Sequence, residues 1–133
     1  MRSCDGCTLC CKLPHIEELS KPTDTYCVHC TSSQGCRIYQ ERPKVCRDFD
    51  CMWLEARLPN RLKPDRVHCY ARQIGTEYAQ IKIDTAFPED ADKVIDAVTS
   101  LGLHALVSLG HTLRFVGAKN KPSPQKIVLN WTL

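Results

Sequence analysis

The sequence contains no apolar run approaching the roughly 18 residues needed to span a membrane. It shows no basic segment followed by an apolar run and a small-residue cleavage site, so no secretory signal is expected. No Ser/His/Asp arrangement, phosphate-binding glycine loop or HExxH motif is present, and Asp48 and Asp50 alone do not make a paired-carboxylate site. There is no low-complexity tract and no internal repeat beyond the recurrence of a Cys-x2-Cys spacing. These absences remove the usual signatures of hydrolases and nucleotide-binding enzymes, and the balance leans against an enzyme. They also point to a cytoplasmic location, where disulfides are rare and thiols stay reduced.

What the sequence has in excess is cysteine: ten of 133 residues, nine of them before residue 52. The formal charge of +3 counts those thiols as neutral. Eight thiolates around two divalent ions would bring the chain to about −1. The basic pI of 8.3 is therefore poor evidence for a nucleic-acid partner, and none is expected. Arg2, Lys12, Arg37, Arg42, Lys44 and Arg47 read better as partners of thiolate charge, because buried charge must be compensated.

Local patterns give the expected elements. A helical turn is predicted over Thr8–Lys12, stopped by Pro14, and a loop with one short strand or turn over residues 15–26. Pro43 opens a helix predicted to run to about residue 57, with a break near Asp50 if Cys46 and Cys51 are to reach one cluster. Strands are predicted over Val67–Ile74 and Glu77–Asp84, joined by a two-residue turn at Gly75-Thr76. In the second, Ala79, Ile81 and Ile83 alternate with Tyr78, Gln80 and Lys82, the pattern of a half-buried strand. Pro88 opens a helix over about 88–101, with Ala91, Val94, Ile95, Val98 and Leu101 on one face and Gly102 as its cap. A hairpin over Ala105–Leu109 and Thr112–Gly117 follows, and Ile127–Trp131 is a further candidate strand. The expected fold class is α+β: a metal-stabilised cysteine-rich N-terminal half with short helices (1–57), then a small antiparallel sheet packed with one helix (58–133), the two sharing one core.

A Cys-x2-Cys turn brings two sulfurs to one side with backbone amides facing them, which suits one tetrahedral ion. The spacing occurs at Cys4/Cys7, Cys7/Cys10 and Cys27/Cys30. Zinc takes four thiolates at about 2.3 Å in a closed site, and iron–sulfur clusters also take four cysteines, so the spacing alone does not choose between them. Neighbouring side chains tend to point apart, so Cys10 and Cys11 are expected to serve different ions or two edges of one polynuclear site, which suggests two centres joined through this dipeptide. A bacterial ferredoxin run would need a cysteine where Pro14 stands. Cys69 lies in a predicted strand and reads as core. His29 has a ligand reading but is expected to point away, and His15, His68, His104 and His111 are expected at the surface or in turns. Tyr39, Phe49, Trp53 and Trp131 read as core, and Arg42 and Arg47 as donors that fix the knuckles.

Cys4-x2-Cys7-x2-Cys10-Cys11, then Cys27, then Gly35-Cys36-Arg37-Ile38-Tyr39, then Arg42-Pro43-x2-Cys46-Arg47, then Phe49-x-Cys51, resembles the bacterial cysteine-cluster family described as a zinc- or iron-chelating domain. The likeness covers residues 4–54. It implies metal chelation by Cys4, Cys7, Cys10, Cys11, Cys27, Cys36, Cys46 and Cys51, and it implies no agreed reaction. Cys30 is a ninth candidate ligand, the alternative being a thiol beside the site. The expected function is thus metal binding, with two zinc ions favoured. An iron–sulfur redox or enzyme component and a zinc-knuckle interaction module, with a protein partner, are the rivals.

Overall fold

The structure is a computed structural model that describes residues 7, 9–22, 25–31, 35–41, 44–47 and 51–122. Its helices are α1 (Leu9–Lys12), α2 (Lys44–Arg47), α3 (Pro64–Val67) and α4 (Asp92–Ser100). Its strands are β1 (Cys30–Thr31), β2 (Gly35–Cys36), β3 (Cys69–Ile74), β4 (Tyr78–Ile83), β5 (His104–Leu109) and β6 (Thr112–Val116). β1 and β2 form a small separate hairpin, and the other four form one sheet in the order β3-β4-β5-β6. None of the described helices is long and apolar enough to cross a membrane.

The fold is α+β, but the sheet is mixed rather than antiparallel. β3/β4 and β5/β6 are antiparallel, while β4 and β5 run parallel, with Tyr78 opposite His104 and Ile83 opposite Leu109. The reason lies in the connection. α4 carries the chain back along the sheet after β4, so β5 starts at the end where β4 started; antiparallel neighbours need only a tight turn.

On the first face of the sheet, Ala71, Ile81 and Val107 form one row, and Cys69, Ile83 and Leu109 another. Val94, Ile95 and Val98 of α4 are buried in the same cluster, which Met52, Trp53, Leu58 and Leu62 complete. Burying a side chain the size of Ile81 or Val98 stabilises the fold by roughly 1.5–3 kcal/mol. Cys69 is core, as its place in a strand suggested, and burial, with Asp90 adding to it, pushes its thiol up to about 12. α4 starts four residues later than expected. Residues 88–91 form turns, Asp90 bonds His68 (Nδ1 to Oδ2, 2.7 Å), and the first helical amide to close a turn is that of Ile95 on Ala91. Gly102 ends the helix at φ +86°, and Leu101, beside that cap, is exposed rather than part of the apolar face.

Two other expectations change. The β3–β4 connection has three residues, since Ile74 pairs with Tyr78, with Gly75 first at φ +64°. The helix predicted to reach residue 57 is limited, among the described residues, to Lys44–Arg47, and residues 51–57 make a separate turn. Arg57 donates to the Met52 carbonyl and Ala56 to that of Trp53, with Ala56 left-handed at φ +60°, a helix-terminating motif. The Met52 amide is drawn instead to the Ala71 carbonyl on the outer edge of β3, 2.7 Å away, while the Met52 and Trp53 side chains enter the core. His104, expected at the surface, is buried on β5, where Nδ1 accepts from the Ala118 amide at 3.0 Å. The candidate strand Ile127–Trp131, and with it Trp131, and also Phe49, lie outside the described residues.

Candidate metal centre

β4 is buried on both faces, whereas alternation predicted one. Its second face carries Gln80 and Lys82, in rows with Arg72 and Tyr70 of β3. What covers this face is the cysteine-rich half. Leu9 and Leu13, one helical turn apart on and just after α1, pack on Tyr70, and Cys7 and Cys51 pack against the same cluster. Two apolar side chains thus seat the first cysteine stretch on the sheet.

Lysines lock that seat. Lys21, only 3% exposed, donates its ammonium to the carbonyls of Lys12 (2.7 Å), Pro14 (2.5 Å) and Pro22 (2.9 Å). Three donors thus meet three acceptors, and the charge sits at the C-terminal end of α1. The chain reaches Lys21 by reversing on itself: Ile16 and Lys21 exchange backbone bonds around a short 3-10 turn, Glu17–Leu19. Lys12, expected to neutralise thiolates, instead bonds both carboxylate oxygens of Asp84 at 2.8 Å, across 72 positions of sequence. Burial raises the Asp84 carboxyl, but the Lys12 ammonium, the Ala86 amide and the nearby His68 outweigh it and hold it below its ordinary value.

The second stretch forms a knuckle. Cys30 donates its amide to the Cys27 carbonyl at 3.0 Å, and the His29 amide points at Cys27 Sγ at 3.4 Å. The chain then turns back through β1 and β2, which places Cys36 directly across from Cys30. Arg37 closes the base. Its amide donates to the His29 carbonyl and its guanidinium to the Val28 carbonyl. The arginine expected to donate to sulfur or a neighbouring carbonyl was Arg42 or Arg47; Arg42 and the Arg47 side chain lie outside the described residues, and it is Arg37 that bonds a carbonyl here. Cys46 lies on α2, half-buried.

The described cysteine side chains, Cys7, Cys10, Cys27, Cys30, Cys36, Cys46, Cys51 and Cys69, are all thiols. Among the described residues, no three Cys, His, Asp or Glu side chains gather into a group able to hold a metal ion. Cys4 and the side chain of Cys11 lie outside them, so the divergence expected of Cys10 and Cys11 does too. The donor chemistry nevertheless suits a thiophilic ion. Cys27 and Cys30 present a turn whose amide already faces sulfur, and outer donors of this kind orient and stabilise ligating thiolates.

Sequence reasoning missed the charges beneath the thiols. Lys82 is buried and Arg72 half-buried on the face that Cys7 and Cys51 cover, and burial lowers the Arg72 guanidinium against an opposing effect of Tyr70. Gln80, directly opposite Arg72 and two residues before Lys82, is 1% exposed, and its Oε1 has no hydrogen-bond partner among the described residues. The one signal was a strand whose solvent face held Lys82 and Gln80. Nothing local said that another part of the chain would cover it. No family model, curated protein or solved structure matches this chain.

Proposed function

We propose that this protein binds metal through clustered cysteine thiolates, with zinc as the ion and two ions per chain. The ligands are drawn from Cys4, Cys7, Cys10, Cys11, Cys27, Cys36, Cys46 and Cys51, with Cys30 as the ninth candidate. The observation that carries the reading is the knuckle: the His29 amide directed at Cys27 Sγ, with Cys36 set opposite Cys30. The order of cysteine motifs through residues 4–54 supports it from the sequence side, as does the resemblance those motifs carry. A closed four-thiolate site supplies folding free energy rather than an open coordination position. The role is therefore structural, in a protein of the reducing cytoplasm, and no reaction is assigned.

Metal and sulfide analysis of protein purified without oxygen tests this. About two zinc ions per chain is the expected result. Iron with acid-labile sulfide and a visible charge-transfer band would replace zinc by a cluster. All ten cysteines paired as disulfides in protein from intact cells would overturn metal binding altogether.

A further inference from the structure

The knuckle hairpin is short enough for each rung to be assigned. Cys30 pairs with Cys36 and Thr31 with Gly35, and the Arg37 amide donates to the His29 carbonyl at 2.7 Å. An antiparallel ladder alternates hydrogen-bonded and non-hydrogen-bonded rungs. Since His29–Arg37 is bonded, the next rung, Cys30–Cys36, is of the second kind. In such a rung the Cα atoms stand about 4.5 Å apart, and the side chains leave on one face at their closest approach. A disulfide needs Cα atoms about 4.4–6.8 Å apart. The backbone therefore already meets the requirement, and Arg37 clamps the strand ends on which it depends.

Cys27 is the competing partner, but it is less suited. It is buried, and its sulfur faces the His29 amide within its own turn. Cys30 and Cys36 are both half-buried, within reach of a small oxidant.

We propose that Cys30 and Cys36 form an oxidation site, at which a hydroperoxide converts the two thiols into a cross-strand disulfide. One sulfur attacks the peroxide O–O bond and becomes a sulfenic acid, releasing water when the oxidant is hydrogen peroxide. The other sulfur then attacks the sulfenic sulfur, and a second water leaves. Two thiols and one peroxide give one disulfide and two waters; sulfur is oxidised and peroxide oxygen is reduced. A dithiol reductant restores the pair. Resting on the metal reading above, a further consequence follows. Cys36 cannot ligate an ion and form a disulfide at once, so oxidation releases the ion that Cys36 helps to hold.

The test treats the reduced full-length chain, as isolated and after chelation, with one equivalent of hydrogen peroxide. Remaining thiols are then alkylated, and the peptide carrying Cys27, Cys30 and Cys36 is fragmented in a mass spectrometer. The expected product has lost two hydrogens, with the link between Cys30 and Cys36. It persists in Cys27→Ser and disappears in Cys30→Ser and in Cys36→Ser. A link between Cys27 and Cys30, or sulfinic acid in place of any link, overturns the site, and fragmentation of the wild-type peptide decides this even if a variant fails to fold. Zinc appearing in a chromogenic chelator in step with the link supports the coupling; a formed link with zinc retained overturns it. A chain that crosslinks yet never carried metal upholds the oxidation site and overturns the metal reading alone.

Discussion

Residues 69–116 are held by a layer of apolar side chains between α4 and one face of the sheet, whereas the described residues among 7–47 are held largely by a handful of polar anchors. In the first region, register and burial reinforce each other. Ala79 and Ile81 are fully buried, and every residue of β4 has a partner on both sides. In the second, the described elements are single turns and two-residue strands, and their apolar contribution to the sheet is little more than Leu9 and Leu13. The contrast shows where the free energy of each half resides. One half gains it from removing surface from water. The other depends on a few ammonium and guanidinium contacts and, on the proposed function, on metal.

On the proposed function, the sharpest way to break this comparison is to strip the chain of zinc with a chelator. A structural thiolate site contributes on the order of 10 kcal/mol. Chelation should therefore abolish amide-exchange protection across residues 7–47 while β3–β6 keep theirs; equal loss in both halves would mean that they fold as one unit. Next in size is Ile81→Ala in the sheet. Ile81 is fully buried in the core, and truncation should cost about 2–5 kcal/mol in denaturant unfolding without changing zinc content. Lys21→Met acts on the other half. It leaves three carbonyls without their ammonium and should cost about 2–4 kcal/mol, read as lowered zinc retention against a chelator with the β4–β5 exchange rates unchanged.

A smaller effect should come from the contact that joins the halves. The Asp84 carboxyl is depressed in the folded chain, so between its folded and unfolded values the unfolded chain binds more protons. The Lys12–Asp84 contact therefore contributes fully above about pH 4 and is lost as the pH falls further. Asp84→Asn should cost about 1–2 kcal/mol at neutral pH and flatten that acid limb. The smallest change expected is a gain. Ala56 occupies a left-handed position at φ +60°, so Ala56→Gly should raise stability by about 0.5–1 kcal/mol in thermal unfolding.

Much of the sheet half was legible because its causes are local. Ala79, Ile81 and Ile83 announce a strand, Val94, Ile95 and Val98 a helix, and Gly102 and Gly110 the turns at their ends. The parallel pairing of β4 with β5 was not legible in the strands themselves, since it follows from where α4 returns the chain. The turn at Cys27–Cys30 was legible from spacing, whereas the hairpin that sets Cys36 opposite Cys30 was not. Lys12 and Lys82 were not, because each owes its role to a distant segment, Asp84 or the cover that α1 lays over Tyr70, and Lys21 was not, because its carbonyl cage forms only when the chain reverses between Ile16 and Lys21. A lysine in a polar context reads as a solvent residue until the fold buries it. The same holds for His104, whose neighbours Tyr78 and Phe115 come from flanking strands.

The bond from the Met52 amide to the Ala71 carbonyl has a consequence for how copies of this chain behave toward each other. β3 is an outer strand, and an outer strand with open backbone groups is a template for a strand from another molecule. Residues 51–57 take one acceptor of that edge through the Met52 amide, and they begin with Cys51, the last of the clustered cysteines. If the loss of metal loosens this segment, the exposed edge of Cys69–Ile74 invites self-association. Light scattering after chelation should then rise with protein concentration, and a chain that stays monodisperse would show that the turn guards β3 without help from the metal.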